Sequence, residues 1–148
     1  MSFDQALEQV RLLEEQLQVY YALNELAKRK ERVLSLAEVQ ALDEIISAEQ
    51  ALILNIAELE KRRFASQSKL AATWDIAVDQ LTLDVIIDRT DKEVAARFKQ
   101  VGDKLAVVLA ELKERNDRCQ SVIKGALDLI HCTLSKDSVR SALVDRRV

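Results

Sequence analysis

Residues 90–134 read TDKEVAARFKQVGDKLAVVLAELKERNDRCQSVIKGALDLIHCTL, and this stretch decides the fold. Phe98, Leu105, Leu112, Cys119 and Ala126 recur every seven residues, as do Val101, Val108, Arg115, Val122 and Leu129. Leu109, Asn116, Ile123 and Ile130 lie alongside them. A seam of two apolar rows sustained over this length predicts one long helix over about 91–134, packed against others along a stripe. Thr90-Asp91-Lys92-Glu93 has the form of a capping box at its start. Gly102 and Gly125 fall inside it, each costing about 1 kcal/mol against alanine, and close backbone approach is the reason offered for keeping them.

The same period runs through the N-terminal half. Ser2-Phe3-Asp4-Gln5 reads as a capping box. Phe3, Val10, Leu17, Asn24 and Glu31 form one heptad row, and Ala6, Leu13, Tyr20, Ala27 and Leu34 the other. Leu7, Leu12, Tyr21 and Leu23 widen the stripe, so this helix, about 3–33, is expected to have two neighbours. A second capping box, Ser35-Leu36-Ala37-Glu38, marks the break before a helix over about 36–72. Its rows are Leu42, Glu49, Ile56, Arg63 and Ile45, Leu52, Leu59, with Ile46 and Ile53 beside them. Residues 72–90 lack a long period. Thr82 is placed to cap a short helix over about 83–88, and Trp74 to pack across one end of the bundle. Asn24 and Asn116 sit at seam positions, where a polar residue fixes register.

The expected fold is therefore all-α: an elongated antiparallel three-helix bundle or coiled coil with a short connecting helix between helices 2 and 3. It occupies 1–134, and 135–148 is expected to be a flexible tail. Composition agrees. The chain of 148 residues holds no proline, two glycines and 4% aromatics, too few turn formers for a β fold.

Composition and motifs also exclude function classes. Net charge is −3, without the one-sided basic field that nucleic-acid binding uses. Lys28-Arg29-Lys30 and Lys61-Arg62-Arg63 are short clusters read as helix-end cations that complement the dipole. The longest apolar run, Leu105 to Ala110, is too short to span a bilayer, and Met1-Ser2-Phe3-Asp4 has no signal-peptide form, so the protein is expected in the cytoplasm. Cys119 and Cys132 would lie about 20 Å apart on one straight helix, so both are read as free thiols. The single histidine, His131, stands next to Cys132, and adjacent helical positions diverge by about 100°. That leaves no metal set, no nucleophile pair and no glycine-rich phosphate loop. No cofactor and no catalytic activity are expected.

Glu111-Leu112-Lys113-Glu114-Arg115-Asn116-Asp117-Arg118, running into Val122-Ile123-Lys124-Gly125-Ala126-Leu127-Asp128-Leu129-Ile130, resembles the FlgN family of flagellar export chaperones. Leu12-Leu13-Glu14-Glu15-Gln16-Leu17 with Tyr20 is similar to the family's first helix, Ala51 to Arg62 to its second, and Thr82 to Ile87 to its connecting helix. The resemblance implies a type III export chaperone. It would hold the C-terminal segments of hook-filament junction proteins, FlgK and FlgL, before export, and meet components of the export apparatus. In such proteins the C-terminal helix and tail carry the substrate. Carried onto this chain, that implies Val122, Ile123, Ala126, Leu127, Ile130 and Leu134, with Leu143 and Val144 in the tail. The family's tail tyrosine has no counterpart here, since the tyrosines are Tyr20 and Tyr21.

A physical reading points the same way. Residues 119–134 continue an apolar stripe while the first two helices lose theirs, so the last helix should outrun its partners and take an amphipathic helix on its bare face. Five buried aliphatic side chains supply about 8–15 kcal/mol gross. Ordering a flexible segment takes back about 2–5 kcal/mol and association several more, which leaves micromolar to high-nanomolar affinity. The rival readings are a structural coiled coil that self-associates into a homo-oligomer, and a regulatory adaptor without export cargo.

Overall fold

A computed structural model describes the backbone of residues 2–134 and the side-chain environment of residues 3–120. The described residues form helices and no strands: α1 (Ser2–Leu36), α2 (Val39–Thr73), a single 3-10 turn (Val78–Gln80), α3 (Leu83–Arg89) and α4 (Lys92–Leu134). The chain is all-α, as the heptads require.

α1 is the helix that both others pack against. α2 lies along one side of it and α4 along another, and no comparable packing forms between α2 and α4. Side-chain pairs give the directions. Gln16 meets Glu60 and Lys30 meets Glu49, so α2 runs antiparallel to α1. Glu14 meets Arg97, Asn24 meets Glu111 and Glu31 meets Arg118, so α4 runs parallel to α1. The widened apolar stripe of α1 is thus explained by two separate neighbours. Val10, Leu12, Leu17, Leu23 and Ala27 are buried along it, together with the polar Gln9, Gln16 and Asn24.

The main core lies at the end where α1 begins and α2 finishes. Ala6, Val10 and Leu17 of α1, Leu70 and Ala71 of α2, and Val94, Phe98, Val101 and Val108 of α4 cluster there with Leu81 and Ile86 from the connection. The segment between α2 and α4 therefore fills the space those two helices leave open. Gln67 Nε2 of α2 donates to the Leu81 carbonyl at 3.3 Å. On the other side, Leu83 presses on Gly102 of α4: a Cβ there would lie 2.6 Å from Leu83 Cδ2. The close neighbour at this glycine is a leucine side chain and not the backbone expected there. Trp74 is half-buried against this core, with the Arg89 guanidinium 5.7 Å above its ring, so it does lie across this end of the molecule.

The helix ends correct several expectations. Ser35 does not cap α2. It is still inside α1, its hydroxyl donating back to the Arg32 and Glu31 carbonyls, and Glu38 precedes α2 without a side-chain cap. α1 instead closes in a Schellman motif: Ala37 N–H donates to the Leu34 carbonyl at 3.3 Å and Glu38 N–H to Val33 at 3.2 Å, with Ala37 at φ 55°. α2 repeats the device, with Asp75 N–H on Ala72, Ile76 N–H on Ala71 and Asp75 at φ 54°. Both left-handed positions lack the glycine that marks them in a sequence. At the start of α4 the cap is Asp91, whose Oδ1 accepts from Val94 N–H at 2.9 Å; Thr90 instead turns its hydroxyl to the Ile87 carbonyl. Thr82 does cap α3, accepting from Val85 N–H at 3.4 Å.

The strained alanine yields a prediction. Ala37 is exposed and left-handed, a conformation that costs an L-residue about 1–2 kcal/mol and glycine nothing. Ala37→Gly is expected to stabilise the protein by about 0.5–1 kcal/mol, the larger backbone entropy of unfolded glycine offsetting the rest. Urea unfolding followed by circular dichroism checks it. A lower midpoint in the variant would contradict the reading.

Candidate partner-binding face

A ladder of polar groups fixes α4 against α1 above the core. Asn24 is buried; its Nδ2 donates to Glu111 Oε2 at 2.8 Å and its Oδ1 accepts from Arg115 Nε at 3.1 Å. Arg115 reaches on to Glu31 at 3.2 Å, and Arg118 meets the other oxygen of Glu31 at 3.0 Å. Arg97 clamps Glu14 lower down, at 3.2 Å from Nε to Oε2, and that contact holds its guanidinium above the usual range. Each donor can be satisfied at one register only, so Asn24 has the role expected of a seam asparagine. Asn116 does not: it is exposed, one position away from the arginine that joins the ladder.

The basic clusters join this pairing and do not complement helix ends. Lys30 meets Glu49 at 3.0 Å, Arg63 meets Glu60, and Arg62 lies 3.9 Å from Glu15. The last turns of α1 and α2 carry no basic residue. Glu60 accepts from Arg63 first and from Gln16 second, and these contacts hold its carboxyl below the ordinary range.

The ladder also sets where α1 stops. With Glu31 beside Arg115 and Arg118, the end of α1 at Leu36 falls beside about position 121 of α4. α4 continues to Leu134. Its last turns, about 20 Å of helix, therefore run past the end of the α1–α2 pair. Val122, Ile123, Ala126, Leu127, Ile130 and Leu134 belong by register to this overhang; their side chains lie outside the described residues, as do Leu143 and Val144 altogether.

Exposed apolar residues also stand on α2 and α4 below the overhang. On α2, Val39 is 70% exposed, Ile46 39% and Ile53 56%, one heptad row. On α4, Leu109 is 43% exposed. Ile46 and Ile53 were read as flanking an α2 seam. What the heptads left unsaid is that no helix would cover them.

Buried Cys119 and half-buried Tyr20 are both shifted by their surroundings. Burial pushes the Cys119 thiol up, beyond what Lys30 and Arg118 offset. Burial, then the Glu60 carboxylate, raises Tyr20, against a smaller opposing effect of Arg63. A phenol whose folded pKa is raised contributes stability that is complete below the unfolded value of about 10 and is lost as pH rises through the folded value. We expect Tyr20 to ionise late in a Tyr21→Phe variant titrated at 295 nm, with helicity falling in the same alkaline window. Ionisation at the free-tyrosine value would contradict it. Among the described residues no three His, Cys, Asp or Glu side chains converge as a metal set, and no helix is long and apolar enough to cross a membrane. His131 and Cys132 lie outside the described side chains.

A polar register ladder, a helical overhang and exposed aliphatic rows characterise an all-α three-helix assembly. The family described as FlgN protein matches residues 1–137, nearly the whole chain, and this chain belongs to the FlgN family, a family of flagellar export chaperones. No curated protein and no solved structure gives a match.

Proposed function

We propose that this protein is a cytoplasmic export chaperone that binds the C-terminal segments of FlgK-like or FlgL-like hook-filament junction proteins, keeps them from assembling early and releases them to the type III export apparatus. It is not an enzyme: it acts by covering an apolar segment. The observation that carries the reading is the α4 overhang, a helix that leaves its partners about 20 Å before it ends, in a chain of this family. The sequence of that overhang is apolar on one side, through Val122, Ile123, Ala126, Leu127, Ile130 and Leu134. An amphipathic cargo helix buries its own stripe on such a face. The family resemblance adds Leu143 and Val144 to the proposed cargo-binding residues.

The direct test is a titration of synthetic junction-protein C-terminal peptides into the full chain and into a chain lacking residues 135–148. Micromolar or tighter binding by the full chain, weakened about tenfold or more by the deletion, is the expected result. Absence of binding by the full chain would overturn the carrier reading. A stable homo-oligomer in sedimentation, with no peptide affinity, would favour the structural coiled coil.

A further inference from the structure

α2 and α4 both lie on α1 but not on each other, so a slot runs between them with α1 as its floor. Its walls are two heptad rows. On α2 the row is Val39, Ile46, Ile53, Glu60 and Gln67; on α4 it is Gly102, Leu109 and Asn116. At the lowest rung the chain closes the slot itself: the Leu81 carbonyl takes the Gln67 amide, and Leu83 sits on Gly102. The material there is a short helical segment whose aliphatic residues, Leu81 and Ile86, are buried in the core. Above that rung Ile53, Ile46 and Leu109 of the same rows are exposed. The floor is aliphatic and aromatic, with Leu13, Tyr20 and Leu34 half-buried.

Three carboxylates beside the slot are already paired. Glu49 is held by Lys30, Glu60 by Arg63 and Gln16, and Glu31 by Arg115 and Arg118. Charged residues in the seam of an incoming segment would lose their water against Ile46, Ile53 and Leu109. From the closed rung to the end of α1 the slot is about 30 Å long, the length of a helix of about 20 residues. In the sequence the α4 row reads on, through Ile123 and Ile130, into the overhang.

We propose that the slot between α2 and α4 receives an amphipathic helix of the cargo, with an uncharged aliphatic seam, laid on α1 in line with the chain's own plug. This rests on the carrier reading above and adds to it where the cargo goes: not only onto the overhang but down between the helices, completing a four-helix cross-section.

The test is to titrate a junction-protein C-terminal peptide into the wild-type chain, an Ile53→Asp/Leu109→Asp double variant and an Ile53→Ser/Leu109→Ser double variant. Both substituted positions are exposed, so the fold should survive, with circular dichroism as the check. Wild-type binding weakened about 30-fold or more by the aspartates and less by the serines supports the slot. Equal affinity for wild type and both variants overturns the slot and leaves the carrier reading standing. No affinity for wild type overturns both. A wild-type dimer in sedimentation that the aspartates dissolve assigns the slot to a second copy and overturns the proposal. So does a peptide site that opens only once residues 135–148 are removed, since the chain's own tail would then be the occupant.

Discussion

Phe98→Ala is expected to cost about 3–5 kcal/mol and to lower the melting temperature by about 10 °C. Phe98 is fully buried, and it stands where four pieces of chain converge: Val10 and Leu17 of α1, Leu70 of α2, Leu81 and Ile86 of the connection, and its own neighbours Val94 and Val101. Removing the ring deletes the largest wholly buried side chain and leaves a cavity that four separate segments would have to collapse together to fill. Against a net stability of about 5–15 kcal/mol, that is a large share. Val107→Ala, on the same helix but 60% exposed, provides the control and should change stability by about 0.5 kcal/mol or less. Urea unfolding followed by both helicity and Trp74 fluorescence measures it. Trp74 packs against the same core, so its signal should move with the helical one. A loss below about 1 kcal/mol would show that the core is not centred on Phe98.

Ile123→Asp with Ile130→Asp should weaken junction-peptide binding by at least about 30-fold while the melting temperature changes little. Both residues follow Leu109 and Asn116 in one row and lie, by register, on the overhang. Carboxylates there would have to lose their water against the apolar side of a docked helix, at a cost of several kcal/mol without a partner. The free protein is spared, because the α1–α2 pair ends before these positions and only helix propensity, about 0.5 kcal/mol per residue, is at stake. Isothermal titration reads the affinity. Equal affinity would remove Ile123 and Ile130 from the binding surface. Of the substitutions at Ile53 and Leu109, the second probes an earlier stretch of the same α4 row and the first the facing row of α2, so the pair of experiments maps how far along α4 the cargo extends.

The heptads of this chain were informative because helix packing is written locally. An apolar residue every three or four positions must face a neighbour, and nothing about the neighbour's identity is needed to see it. Thr82 as a cap, Trp74 at the closed end and Asn24 in the seam were legible for the same reason: each depends on a few adjacent residues or on one row. The helix ends were less so. Ser35 and Thr90 match the capping box in spelling, yet Ser35 bonds backwards and Asp91 does the capping. Both Schellman turns put Ala37 and Asp75 where a glycine would have announced the stop. A local code with two valid readings is settled by which one lets the flanking helices pack.

The candidate site divides in the same way. Periodicity in residues 119–134 predicts an apolar face beyond the partner helices; the structure describes the overhanging backbone to Leu134, and the side chains after Gln120 lie outside the described residues. Ile46, Ile53 and Leu109 were equally apolar in the sequence, and were read as ordinary flanks of a seam. Only the tertiary arrangement leaves them bare. A sequence records which side chains avoid water but not how widely two helices are set apart around a third, because that spacing comes from contacts between residues far apart in the chain: the α1–α4 ladder of Asn24, Glu31, Glu111 and Arg115, and the plug that joins Gln67 to Gly102 through Leu81 and Leu83.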